Sequence, residues 1–220
     1  MEIKNIKDKI PAELYKIVEK DIKELRPCQV KAIKKGLLER KNILVCTPTA
    51  SGKTLIAELA AISSILNGFG KAIYIVPLKA LASEKFNDFK RRYGGLLKIA
   101  LSIGDIDSAD PYLVDYDLII TTSEKFDSLI RHHTPWLNRI GAVIVDEIHL
   151  MNDPGRGPTL EILITILKQI LKNIQIIGLS ATIGNPEELA GWLDARLVID
   201  GWRPVELHKG ICLGDEIEFY

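Results

Sequence analysis

Short apolar runs alternate with longer amphipathic stretches along most of this chain. Seven of the runs read as strands: Ile43–Cys46, Ala72–Val76, Ile99–Ile103, Leu118–Thr121, Ala142–Val145, Ile174–Leu179 and Leu197–Ile199. Most are continuously apolar, the pattern of strands covered on both faces. Between them, Leu55, Ile56, Leu59, Ile62, Ile65 and Leu66 recur at helical spacing and predict a helix over 54–66 that stops at Asn67-Gly68. Leu160, Leu163, Ile164, Leu167 and Leu171 predict another over 159–171. A third, over 186–193, opens with Asn185 as N-cap and Pro186 at the first helical position. Strands alternating with helices at this density specify an α/β domain, a mainly parallel sheet with helices on both faces. Residues 1–23 mix charges with scattered Ile and Leu and read as a helical lead-in. Residues 24–209 form the domain, and 210–220 read as a strand leaving it. Neither internal repeats nor a low-complexity linker interrupts the pattern.

Composition narrows the classes. A chain of 220 residues, 47% hydrophobic, can build one large core or two small ones. The formal net charge is zero, so any surface for nucleic acid has to be local. Cys28, Cys46 and Cys212 have no C-x-x-C spacing, which suits a reducing compartment and argues against a disulfide framework or a zinc site. With no long apolar run and no apolar signal core at the N-terminus, a soluble, cytoplasmic protein without membrane contact is expected.

The chemistry concentrates in two places. Thr47-Pro48-Thr49-Ala50-Ser51-Gly52-Lys53-Thr54 follows a strand and opens a helix. Such a turn presents unpaired helix N–H groups to a phosphate. Gly52 admits close backbone approach, Lys53 supplies a point charge, and the Thr54 hydroxyl can complete the shell of Mg²⁺. Thr49, Ala50 and Ser51 form the cradle. One departure is visible: Thr47 stands where the G-x-x-x-x-G-K-[ST] pattern has its first glycine. The second place is Ala142-Val143-Ile144-Val145-Asp146-Glu147-Ile148-His149, an apolar strand ending in two carboxylates. Ligands of open parallel sheets bind at the carboxyl ends of strands, where both motifs fall. Asp146 is placed to hold Mg²⁺ through its water shell, and Glu147 to take a proton from the water attacking a γ-phosphate.

With these motifs in order, the sequence resembles superfamily 2 helicases, the DEAD/DEAH-like translocases. Leu25-Arg26-Pro27-Cys28-Gln29 looks like the Q motif, in which Gln29 would read the adenine edge of ATP. Pro77-Leu78-Lys79-Ala80-Leu81-Ala82 looks like motif Ia, and Thr121-Thr122-Ser123-Glu124-Lys125 like motif Ib. Gly104-Asp105 stands where the family has a glycine-centred strand contact. Asp146–His149 is motif II, and Ser180-Ala181-Thr182 is motif III. The stretches Pro48–Ala57, Val76–Lys85, Gly104–Ser108, Thr122–Leu129, His149–Glu161, Gly184–Leu193 and Gly201–Val205 carry the likeness further. They are similar to the archaeal repair helicases of the ski-two-like branch, the Holliday-junction-migration type.

The resemblance implies a RecA-like P-loop domain that hydrolyses ATP with Mg²⁺. It further implies 3′ to 5′ movement on single-stranded or forked DNA in the repair of stalled forks. Pro77, Lys79, Gly104, Thr122 and Lys125 would meet the nucleic acid at phosphate and sugar, which positions a strand without reading sequence. His149 would couple nucleotide state to the strand through the hydroxyls of Ser180 and Thr182. Arg156, in the shaped loop Gly155-Arg156-Gly157-Pro158, would face either a partner lobe or a phosphate. His132 and His133 read as surface residues, and Trp136, Trp192 and Trp202 as core or rim packing. The family's active site lies between two RecA-like lobes, with arginine fingers from the second. That lobe is missing from the 220 residues, so a first lobe, nearly inactive alone, monomeric and partnered by the second lobe of the same polypeptide, is expected. Two other readings stay open: an RNA helicase or RNA-processing translocase, and a nucleotide-gated clamp on nucleic acid. A P-loop phosphotransferase or GTPase is disfavoured because a guanine-reading Asn-Lys-x-Asp is absent.

Overall fold

The computed structural model describes residues 1–104, 110–132, 134–206, 208, 210–213 and 216–219. Asp105 and His133 lie outside the described residues. Seven parallel strands form the central sheet: β1 (Ile43–Cys46), β2 (Lys71–Val76), β3 (Ile99–Ser102), β4 (Leu118–Thr122), β5 (Ile140–Val145), β6 (Gln175–Ser180) and β7 (Arg196–Ile199). Their order is β3-β4-β2-β5-β6-β1-β7, so the strand that precedes the phosphate loop lies two strands from the one that carries Asp146 and Glu147.

Helices cover both faces, and each strand divides its side chains between them. Ile43 and Val45 of β1, with Ala72, Tyr74 and Val76 of β2, face one core. That core is closed by α1 (Ala12–Asp21), α2 (Pro27–Lys34), α3 (Lys53–Leu66) and α4 (Lys79–Tyr93). Leu44, Cys46, Ile73 and Ile75 face the other, closed by α5 (Ser123–Arg131), α6 (Gly157–Ile170) and α7 (Pro186–Leu193). This alternation explains the continuous apolar runs: the positions of the inner strands meet a hydrophobic layer on either face. The α/β parallel architecture expected from the pattern is therefore present.

Three local features differ from expectation. Asn185 does not cap α7 with its oxygen; its amide donates to Glu188 Oε2 at 2.9 Å, and φ −129°, ψ 53° holds the side chain off the helix N–H groups. The tail folds back as an antiparallel hairpin, β8 (Gly210–Leu213) with β9 (Glu216–Phe219), separate from the main sheet. Helix α4 was hidden by its polarity: only Ala82, Phe89 and Tyr93 are buried along its 15 residues. The lead-in holds a 3-10 turn over Ile3–Lys9 followed by α1, and Ile3, Ile6, Leu14 and Val18 enter the core beneath α3.

Candidate functional site

The loop after β1 is built around two left-handed residues, Ala50 at φ 64° and Gly52 at φ 97°. Thr47, where the general pattern has glycine, needs no such freedom. It is fully buried, its N–H donates to Ser180 O at 3.2 Å, and its hydroxyl meets that of Ser51 at 2.8 Å. The hydroxyl thus braces the loop from within. Gly52 is required: a Cβ there would stand 2.5 Å from Gln29 Nε2. Lys53 Nζ donates to the carbonyls of Thr47 (2.9 Å) and Pro48 (3.2 Å), so its head lies inside the cradle. Burial lowers the pKa of Lys53, while Glu147 and Asp146 raise it. Thr49 and Ala50 stand exposed on the rim, and Ser51 is buried beneath.

Gln29 ties α2 to this loop. Its oxygen accepts from Arg26 N at 2.8 Å, and its amide donates to Gly52 O at 2.9 Å. The side chain is buried. A cavity of about 370 Å³ opens beside it, lined among others by Gln29, Gly52, Thr54 and Leu55.

Asp146 and Glu147 follow β5 directly. Tyr74, buried in the next strand, donates to Asp146 Oδ2 at 2.9 Å, and Glu147 N donates to Oδ1 at 3.1 Å. The Tyr74 hydroxyl is pushed well above its ordinary pKa by burial and then by Asp146, so it stays a donor. Glu147 adopts φ 50°, ψ 44°, a left-handed conformation uncommon for a side chain of this kind. Such strain concentrates at functional positions. Lys85, from the second turn of α4, completes the cluster with Nζ 3.4 Å from Thr54 Oγ1 and 3.8 Å from Asp146 Oδ2. Sequence reasoning passed over Lys85. The signal was there: at helical spacing from Ala82 and Phe89, it is a charge on the inward stripe of α4.

The link from motif II to motif III joins the His149 side chain to the main chain of motif III. Ala181 N donates to His149 Nδ1 at 3.5 Å, and the same nitrogen lies 3.4 Å from Glu147 Oε2. In this structure neither expected hydroxyl bonds His149; the bond comes from the Ala181 N–H. Ser180 ends β6 with its hydroxyl buried against the Cys46 side chain, and Thr182, past the strand end, is exposed.

Pro77, Lys79, Gly104, Thr122 and Lys125 line one concavity of about 230 Å³ at the carboxyl ends of β2, β3 and β4, and Arg156 lines it too. Lys79 is exposed at the start of α4. Thr122 caps α5, its hydroxyl accepting from Lys125 N at 3.4 Å. Lys125 departs from expectation: it is 1% exposed and its ammonium stands 3.1 Å from Asp110 Oδ2, so it is a buried partner of a carboxylate and is not turned to solvent. Its burial follows from the strongly amphipathic α5, whose inner side also carries Phe126 and Leu129. Arg156 is positioned by its backbone, since Gly155 N and Arg156 N both donate to Asp153 Oδ1, at 2.9 and 3.0 Å. It also lines the small cavity that holds Asp146 and Glu147. A wider concavity, about 1200 Å³, lies at the opposite, amino ends of the strands around Arg40 and Arg196, away from all of these groups.

The chain is 60% identical over 207 residues to the ATP-dependent DNA helicase Hel308 of Methanocaldococcus jannaschii, covering 90% of this chain and 17% of that protein. It is 54% identical over 209 residues to the Hel308 of Pyrococcus abyssi, covering 94% and 28%. The chain therefore spans well under a third of the length of these relatives. Among solved structures, the DUF1998 helicase MrfA bound to DNA matches with a TM-score of 0.74 at 27% identity, over 88% of this chain and 30% of that one. No helix among the described residues is long and apolar enough to cross a membrane. The DEAD/DEAH box helicase profile matches residues 26–189, the span from the Q motif to beyond motif III, and the chain belongs to that family.

Proposed function

We propose that this chain is the nucleotide-binding motor lobe of an ATP-dependent DNA helicase, working with a second lobe of the same polypeptide. The observation that carries the proposal is the convergence of Lys53, Thr54, Asp146 and Glu147 at the carboxyl ends of β1 and β5, beside a concavity lined by the motif Ia and Ib residues.

Lys53 and the N–H groups at the start of α3 bind and orient a triphosphate. Thr54 and Asp146 fit a cation, because one ammonium already reaches both of their oxygens. They would hold Mg²⁺, which when bound neutralises charge on the phosphates. Glu147 accepts a proton from the attacking water. Gln29 keeps one N–H and one acceptor lone pair beyond its two internal bonds, enough to meet an adenine edge from the adjoining cavity. Lys79 and Arg156 hold strand phosphates, and the buried Lys125 fixes the Thr122 turn from behind.

DNA as the substrate is supported by the names of the relatives and by the DNA-bound MrfA structure. Movement 3′ to 5′ and a role at stalled forks rest on the resemblance alone. RNA is the competing reading. Titration of fluorescent ATP should show Lys53→Ala weakening affinity by about 1.5–3 kcal/mol, the worth of a charge-assisted contact. Unchanged affinity would remove the nucleotide reading. Unwinding of 3′-tailed DNA and RNA duplexes by a chain that includes both lobes decides the substrate: faster RNA unwinding would overturn the DNA assignment.

A further inference from the structure

We propose that Lys85 is an internal cation that competes with Mg²⁺ for Thr54 and Asp146. The inference rests on the assignment of those two residues to the metal.

The geometry is specific. Lys85 Nζ stands 3.4 Å from Thr54 Oγ1, 3.8 Å from Asp146 Oδ2 and 5.9 Å from the Tyr74 ring centroid. Lys53, the other cation of the site, is turned to the carbonyls of Thr47 and Pro48. Lys85 is thus the cation paired with Asp146 among the described residues. Mg²⁺ binds oxygen at about 2.0–2.1 Å, so an ion on Thr54 Oγ1 would lie within roughly 5.5 Å of the ammonium, which is 3.4 Å from that oxygen. Like charges so close in a half-buried site repel strongly, and one must leave. Lysine can: its side chain is 21% exposed and its stem is flexible.

Binding of Mn²⁺ to the 220-residue chain without nucleotide, followed by electron paramagnetic resonance, tests this. Lys85→Met should tighten Mn²⁺ roughly tenfold or more, since a like charge is gone. Lys85→Arg should stay near the parent, and Lys85→Gln should repeat the methionine result with a polar stem. Asp146→Asn should abolish binding in every background. Affinity of Lys85→Met and Lys85→Gln unchanged from the parent, with Asp146→Asn still abolishing it, would overturn the competition and leave the metal assignment standing. Tightening by Lys85→Arg equal to that by Lys85→Met would also overturn it, because charge would then not matter. Binding that survives Asp146→Asn would remove the metal assignment and this inference together.

Discussion

Replacing Arg92 by methionine tests how the phosphate-loop helix is held in place. Glu58 of α3 is 5% exposed. Arg92 of α4 donates to both of its oxygens, at 2.7 and 2.6 Å, and the Tyr93 hydroxyl donates at 2.8 Å. Arg92 also lies 3.3 Å from Asp21 at the end of α1, so one guanidinium joins three helices. Burial pushes the Glu58 carboxyl up, and Arg92 and Tyr93 pull it back. Removing one partner of a buried pair costs about 3–5 kcal/mol, because a charge is left uncompensated. Arg92 keeps 22% of its side chain in solvent, and Tyr93 still donates, so the lower end, about 3 kcal/mol, applies. For a chain of this size that is roughly 6–12 °C in melting temperature. A carboxyl whose pKa is raised in the folded state contributes stability that is full below the unfolded pKa and lost as pH rises through the folded one. Loss of Arg92 raises the folded pKa further. The deficit of Arg92→Met should accordingly be largest at neutral pH and shrink towards acid, and Glu58→Gln added to it should recover part of the loss. Scanning calorimetry across pH measures both. A variant melting within about 2 °C of the parent at neutral pH, or a deficit that grows in acid, would refute the reasoning.

Three further outcomes are expected. In a chain with both lobes, Glu147→Gln should keep ATP binding and slow steady-state hydrolysis by about 10²-fold or more, as loss of a general base does. Lys79→Ala and Arg156→Ala should each weaken single-stranded DNA binding about equally for all sequences and lower the salt slope by about one, whereas Lys125→Met should act on the melting temperature first; anisotropy titrations over a salt series separate the two. Gly52→Ala should destabilise by roughly 1–3 kcal/mol from its left-handed φ, and should also weaken nucleotide binding through the clash with Gln29, both read by melting with and without ATP.

Much of the fold was legible because its strands are buried on both sides. Runs such as Ile43–Cys46 and Leu118–Thr122 are too apolar and too short for anything else. Helices α3, α6 and α7 carry enough apolar residues to show their period. Helix α4 does not, since charges and polar residues occupy most of its surface, and the spacing of Lys85 from Ala82 and Phe89 is the one trace of its inward direction. The phosphate loop and Asp146-Glu147 were legible as local motifs. What the sequence could not give was direction: whether Lys125 points out or in, or whether Ser180 offers its hydroxyl or its backbone. Those depend on which side of a short element meets the core, and one residue of register reverses the answer.

The main-chain bonds of motif III have a consequence for mutagenesis. Thr47 N to Ser180 O and Ala181 N to His149 Nδ1 connect the floor of the phosphate loop, β6 and motif II without using the Ser180 or Thr182 side chains. Alanine substitution of Ser180 and Thr182 keeps every one of those peptide groups and therefore leaves these two bonds unprobed. Only a change to the backbone itself, such as an ester in place of the Ala181 amide, would expose what that segment transmits.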